Sequence, residues 1–169
     1  MFSIARNART WLLLGAAVLP LGGAQAADLI TVQRLSVELA RDIADAALHA
    51  CRRRGYQVSA VVVDRTAVPQ VVMRDNLAPR FTLKIAEDKA NAVILSGVDS
   101  GTFRANRKDI RQEMNQVDGI LLLDGGVAIR AAGSLVGALG VSGAPGGDKD
   151  AACARAGIAA VQDRLDFAQ

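Results

Sequence analysis

The stretch Gly137-Ala138-Leu139-Gly140-Val141-Ser142-Gly143-Ala144-Pro145-Gly146-Gly147-Asp148-Lys149-Asp150 (residues 137–150) decides the fold of this chain. Just upstream, Asp124-Gly125-Gly126-Val127-Ala128-Ile129 places a glycine pair at a turn before a short apolar run, and downstream Cys153-Ala154-Arg155-Ala156-Gly157 continues in small residues. Together they describe a hairpin whose second strand passes through a glycine-rich bend into a helix with an acidic start. The sequence predicts strands at 120–123, 127–130 and 135–142, joined by the turns Asp124-Gly125-Gly126 and Ala132-Gly133-Ser134, and a closing helix over 150–165. Such short connections make neighbouring strands antiparallel.

Toward the N-terminus, residues 36–54 carry Leu39, Ala40, Ile43, Ala44, Ala47, Leu48 and Cys51 at helical spacing, and Gly55 ends the pattern. Residues 58–64 are β-branched and 69–73 follow after a short connection, a hairpin whose second strand opens at Pro69. Residues 75–80 read as loop. Thr82 then caps a helix whose inner stripe is Ile85, Ala86, Lys89, Ala90 and Val93, with its end near Ser96-Gly97. The charged run 100–115, with Arg104, Arg107, Lys108, Asp109, Arg111 and Glu113, reads as one solvated surface helix. The expected order is α-β-β-α-α-β-β-β-α, an α+β fold with a single five-stranded, mainly antiparallel sheet and packed helices.

Residues 1–26 form a separate unit. Arg6 and Arg9 precede an apolar run from Trp11 to Leu21, and Ala24-Gln25-Ala26 supplies the small residues of a cleavage site. The run is too short to span a bilayer and is broken by Pro20 and glycines, so it reads as a cleaved secretory signal, giving a periplasmic or secreted domain over 27–169 with no membrane contact after cleavage. Its removal leaves eighteen basic against seventeen acidic side chains, so the charge of +3 falls to +1. With four lysines and no basic stripe, the chain gives no support for nucleic-acid binding. The remaining length suits one domain that buries roughly two thirds of its unfolded surface.

Several chemistries lack their residues. Gly137, Gly140 and Gly143 lie along a strand rather than in a phosphate loop, and Asp148 stands where a Walker lysine would be. Zinc has one histidine and two distant cysteines to work with, and no C-x-x-C-H is present for covalent haem. Ser142 does not complete the G-x-S-x-G of a nucleophile elbow, because Ala144 stands at the second glycine, and no triad with His49 is plausible. Asp148 and Asp150 are explained as caps of the final helix. Cys51 and Cys153 lie on separate helices, where a disulfide would close about a hundred residues. Nothing in the sequence indicates the short separation a bridge needs, and two buried free thiols are the expectation.

The C-terminal run 137–150 closely resembles the corresponding part of the GlcG/HbpS-like family of haem-binding or haem-degrading domains. Val61-Val62-Val63-Asp64, Arg74-Asp75, Thr82 and Lys89-Ala90 resemble the family's middle section, so the likeness covers nearly all of 36–165. It implies a compact α+β domain that forms homo-oligomers and binds haem non-covalently, in sensing, storage or degradation, a binding protein rather than an enzyme. The matched positions Arg74, Asp75, Thr82, Lys89, Ser142 and Gly143 are the candidate ligand-binding residues. The chain departs from the family at Phe81, where relatives often carry histidine or glutamine, and at Asn91-Ala92, where they usually read x-Thr-Ala. No iron ligand is therefore carried over from those positions.

Chemistry supports an anionic ligand at two of these residues. Arg74 offers a planar fork for a carboxylate such as a haem propionate, and Lys89 falls on an apolar stripe where a charge must find a partner. The alternative is structural: Arg74 pairs with Asp75 or Asp64, and Lys89 reaches a carboxylate past the sheet edge. His49, the one histidine, is the candidate metal ligand, against an exposed helical histidine as the plain reading. Two other functions compete with haem binding. One is an enzyme or accessory acting on a small carboxylic acid, with Asp75 or Asp148 as base; the other is an oligomer that binds a partner protein and no small ligand.

Overall fold

A computed structural model describes residues 32–167; the signal segment read at 1–26 lies outside them. Helix α1 (Val37–Arg52) leads into strands β1 (Ser59–Asp64) and β2 (Pro69–Arg74), then α2 (Phe81–Ser96), α3 (Ser100–Asn106) and α4 (Arg111–Met114). Strands β3 (Gly126–Ala131) and β4 (Ser134–Ser142) follow, and α5 (Gly147–Ala159) and α6 (Gln162–Asp166) close the domain. The sheet is wholly antiparallel, in the order β2-β1-β4-β3. Among the described residues no helix is long and apolar enough to cross a membrane.

Alternation along the strands sorts the core into two layers. One face carries Ala60, Val62, Val127, Ile129, Leu139 and Val141, which pack with Ile43, Ala47 and Leu48 of α1 and Ala154 and Ile158 of α5. The other carries Val61, Val63 and Ala138 beneath Ala86, Ala90 and Val93 of α2. At two crossing points α2 leaves no room for any side chain: a β-carbon at Gly140 would overlap the Ala86 carbonyl, and one at Gly126 the Lys89 carbonyl. The glycine spacing of the decisive stretch therefore sets how closely a helix lies on β3 and β4.

The sheet has four strands, not five. Residues 120–123 are apolar enough for a strand, but the Leu121 N–H donates to the Asp88 carbonyl of α2 and the Leu122 N–H to Asn115 Oδ1. Their ladder partners are thus taken by a helix and a side chain, and Leu122 is buried outside the sheet. The run 100–115 is likewise not one helix, because the chain leaves helical geometry at Arg107 (φ −121°, ψ 54°) and restarts at Arg111. The closing helix begins at Gly147 and breaks before Gln162.

The two cysteines are joined. Cys51 and Cys153 form a disulfide with Cα atoms 5.4 Å apart, correcting the expectation of free thiols. The physical reason is the close packing of α1 on α5, where Ala40, Ala44, Ala47, Ala154 and Gly157 leave no bulk between the helix axes. That separation lies within the range a disulfide needs.

Candidate functional site

The candidate residues gather at one end of the sheet. Ser59 of β1 stands opposite Arg74 of β2 on one side and Ser142 of β4 on the other. Above this row the Ser59 and Thr82 hydroxyls lie 2.7 Å apart, and Thr82 Oγ1 donates to the Pro79 carbonyl at 2.7 Å. Thr82 therefore does not cap α2. The helix starts one residue earlier, at Phe81, without a side-chain cap, and the Thr82 hydroxyl ties its first turn to the sheet. Gly143 holds φ +133°, and its bare α-carbon fits against the Gln57 carbonyl.

Asp75 is 3% exposed and fully engaged. Its Oδ1 accepts from Arg52 Nε at 2.7 Å and lies 2.6 Å from Arg52 Nη2, while Oδ2 accepts from the Val58 N–H at 2.9 Å. Its role is to lock the end of α1 to the start of β1 and the end of β2. Arg74 pairs with neither Asp75 nor Asp64 through its carboxylate; Nη1 instead donates to the backbone carbonyls of Asp75, Asn76 and Ala78. That anchors the loop 75–80, and the Nε and Nη2 edge of the guanidinium stays exposed without a partner among the described residues.

Lys89 is 1% exposed, and its ammonium donates to Asp150 Oδ2 at 2.7 Å and to the Val141 carbonyl at 3.0 Å. Asp150 Oδ1 accepts from the Ala144 N–H at 2.9 Å. Asp150 is thus not an exposed helix cap but the buried counter-ion that joins α2, β4, the glycine bend and α5. Burial pushes the Lys89 pKa down, opposed by the adjacent carboxylate, and pushes the Asp150 pKa up, opposed by the ammonium and the Ala144 N–H. Asp148, by contrast, is exposed, with Lys149 beside it.

With Lys89 and Asp75 taken up internally, the exposed surface near this row consists of other groups. Helix α2 lies over β4, β1 and β3 and barely reaches β2, so the α2 side of β2 is uncovered. Val72 there is 55% exposed, and the neighbouring Leu77 and Phe81 are 80% and 63% exposed. The Arg80 guanidinium lies 4.5 Å from the centre of the Phe81 ring, and Val72, Leu77 and Phe81 make an exposed apolar strip within the segment 72–81 that also carries Arg74 and Arg80. His49 faces away from the sheet on α1, 3.4 Å from Asp45. Among the described residues no group of three His, Cys, Asp or Glu side chains could hold a metal ion.

Sequence reasoning missed Asp150 as a partner of Lys89, Arg52 as a partner of Asp75, and Ser100. The Ser100 hydroxyl donates to the Leu123 carbonyl at 2.8 Å and accepts from the Gly126 N–H at 2.9 Å, fixing the entry to β3. A buried lysine requires a buried acid, and that requirement was the available signal for Asp150. Nothing in the local sequence marks Ser100 or Arg52.

This fold defines a class: small α+β domains with one antiparallel sheet, a helix across one face and two helices across the other. Within it, residues 35–159 match the family model for haem degrading protein HbpS-like, and the chain belongs to that family. A crystal structure of HbpS shares 33% identity with a TM-score of 0.75, covering 82% of this chain and 97% of that one. A double mutant of Streptomyces reticuli HbpS shares 32% identity with a TM-score of 0.74, covering 86% and 99%. A PduOC haem complex shares the fold at 21% identity and a TM-score of 0.67, covering 76% and 95%. Comparison with curated proteins gives no match.

Proposed function

We propose that this protein is an exported haem-binding protein that acts as a homo-oligomer, in the periplasm or outside the cell. The carrying observation is the exposed apolar strip of Val72, Leu77 and Phe81 in the segment that also carries Arg74 and Arg80. Haem is a flat apolar ring with two carboxylates at one edge; the strip offers apolar area for the ring, and the free edge of Arg74 offers a fork for a propionate. Family membership and the PduOC haem complex support the same ligand. The disulfide between α1 and α5 supports export, because such bonds persist in oxidising compartments.

The iron ligand is a separate matter. His49 points away from the sheet, so it reaches haem on the strip of a second copy rather than of its own. An exposed apolar strip also favours association, so the two halves of the proposal support one another. The reading of an enzyme on a small acid loses Asp75 and Lys89, both held in internal pairs, and is left with Asp148 as base and Arg74 as cation.

Haemin titration of residues 27–169, followed by Soret absorbance, tests the reading. The intact protein is expected to saturate at a fixed stoichiometry, Arg74→Ala and Phe81→Ser to weaken binding, and His49→Ala to alter the band without unfolding the protein. No shift beyond a protein-free blank overturns it.

A further inference from the structure

The charged run after α2 makes a second, separate surface. Arg104 on α3, Lys108 just past its end and Arg111 at the start of α4 line one side of a dent of about 230 Å³, completed by Gly101, Ala105 and Asp124. Arg104, Lys108 and Arg111 stand at i, i+4 and i+7, the spacing of a single helix face, and across the break between α3 and α4 all three still line one common space. Their bonding is uneven. Arg104 has Asp124 at 3.4 Å, while the side chains of Lys108 and Arg111 have no hydrogen bond or ion pair with any described residue. Of the segment's own acids, Asp109 accepts from Arg107 Nε and Nη2 at 3.1 and 3.0 Å, and Glu113 does not line the dent. The dent therefore holds three cations against one carboxylate.

We infer that this dent binds a small dianion, one carrying phosphate-type oxygens or two carboxylates. Arg104 and Arg111 supply planar forks that match such oxygens two at a time, and Lys108 adds a compact charge between them. The volume falls below the 300–1,000 Å³ typical of sites for larger ligands and suits a small anion better than a nucleotide or a tetrapyrrole. Asp124 on the far wall lowers affinity for a bare anion and accepts a hydrogen bond from a ligand hydroxyl or a protonated phosphate. The site lies on α3 and α4, apart from the strip on β2 and the start of α2, and does not depend on haem binding.

The test is calorimetric titration of the mature domain with inorganic phosphate and, separately, malonate, at low ionic strength with chloride as the matched control. At least one dianion is expected to saturate. Lys108→Gln and Arg111→Gln are each expected to weaken that binding about tenfold or more, the scale of one lost charge-assisted contact. Arg54→Gln, which removes an equal charge from the loop after α1, should leave it within about twofold. Thermal unfolding should be unchanged in all three variants, because none of these side chains has an internal partner. Absence of saturation by both anions, or an equal loss in Arg54→Gln, overturns the inference.

Discussion

Replacing Lys89 with methionine removes one half of a buried ion pair while keeping most of the side-chain volume. Both members are nearly inaccessible, at 1% and 3% exposure, and Asp150 would be left with a single backbone N–H for its two oxygens. Removing one partner of such a pair costs about 3–5 kcal/mol, because an uncompensated charge stays in the interior. In a domain of this size that corresponds to a fall of roughly 10–15 °C in Tm. Circular dichroism melts of the wild type, Lys89→Met, Asp150→Asn and the double variant measure it as a cycle. Asparagine still accepts from Ala144 and needs no cation, so the double variant should recover much of the loss. The exposed pair of Lys84 and Asp88 is the internal control, and Lys84→Met should cost less than about 1 kcal/mol.

The pH dependence carries the sign. A carboxyl whose folded pKa is raised contributes stability that is fully present below its ordinary 3.8 and is lost as pH rises through the folded value. Lys89 restrains that rise in the wild type. Without it the carboxyl moves further up, so the Lys89→Met penalty should be largest at neutral pH and shrink toward pH 3.8. An additive cycle, or a Lys89→Met cost no larger than that of Lys84→Met, would refute the reasoning.

Opening the disulfide by Cys51→Ala with Cys153→Ala should cost about 4–5 kcal/mol, since it frees a closed loop of about a hundred residues in the unfolded chain; urea unfolding with and without reductant reads the same loss in the wild type. Gly140→Ala should lower Tm by 10 °C or more or prevent folding, because the added carbon meets helix backbone that has no room to move. Ala67 holds φ +63° in the turn between β1 and β2, and Ala67→Gly should raise stability by up to about 1 kcal/mol in the same melts.

The elements with strong local periodicity were legible in the sequence. Helix α1 has its cap at Ser36 and its apolar stripe at the expected positions, and the hairpins of β1 with β2 and β3 with β4 follow the predicted turns. What failed depended on contacts distant in sequence. Residues 120–123 have strand composition, yet Asp88 and Asn115 claim their N–H groups. The roles of Lys89 and Asp75 show the same limit: the sequence required a ligand or a carboxylate for Lys89 but could not name Asp150, 61 residues away, nor Arg52, 23 residues from Asp75. Arg74 was read as a fork for a ligand carboxylate or as a partner of Asp75 or Asp64, and the backbone carbonyls it holds in the loop 75–80 were not foreseen. The apolar strip beside it depends on how far α2 extends across the sheet, and no local pattern encodes that.

The cysteine bridge also determines how the molecule would bear a mechanical load. Tension applied at the two ends enters through α1 and leaves through α5, and the covalent link between residues 51 and 153 carries it directly from one to the other. All four strands, α2 and the Lys89–Asp150 contact lie inside the shielded segment. Stretched in an oxidising medium, the domain would lengthen only by its terminal portions; after reduction, the 102 residues of separation would be released, about 350 Å of additional extended chain.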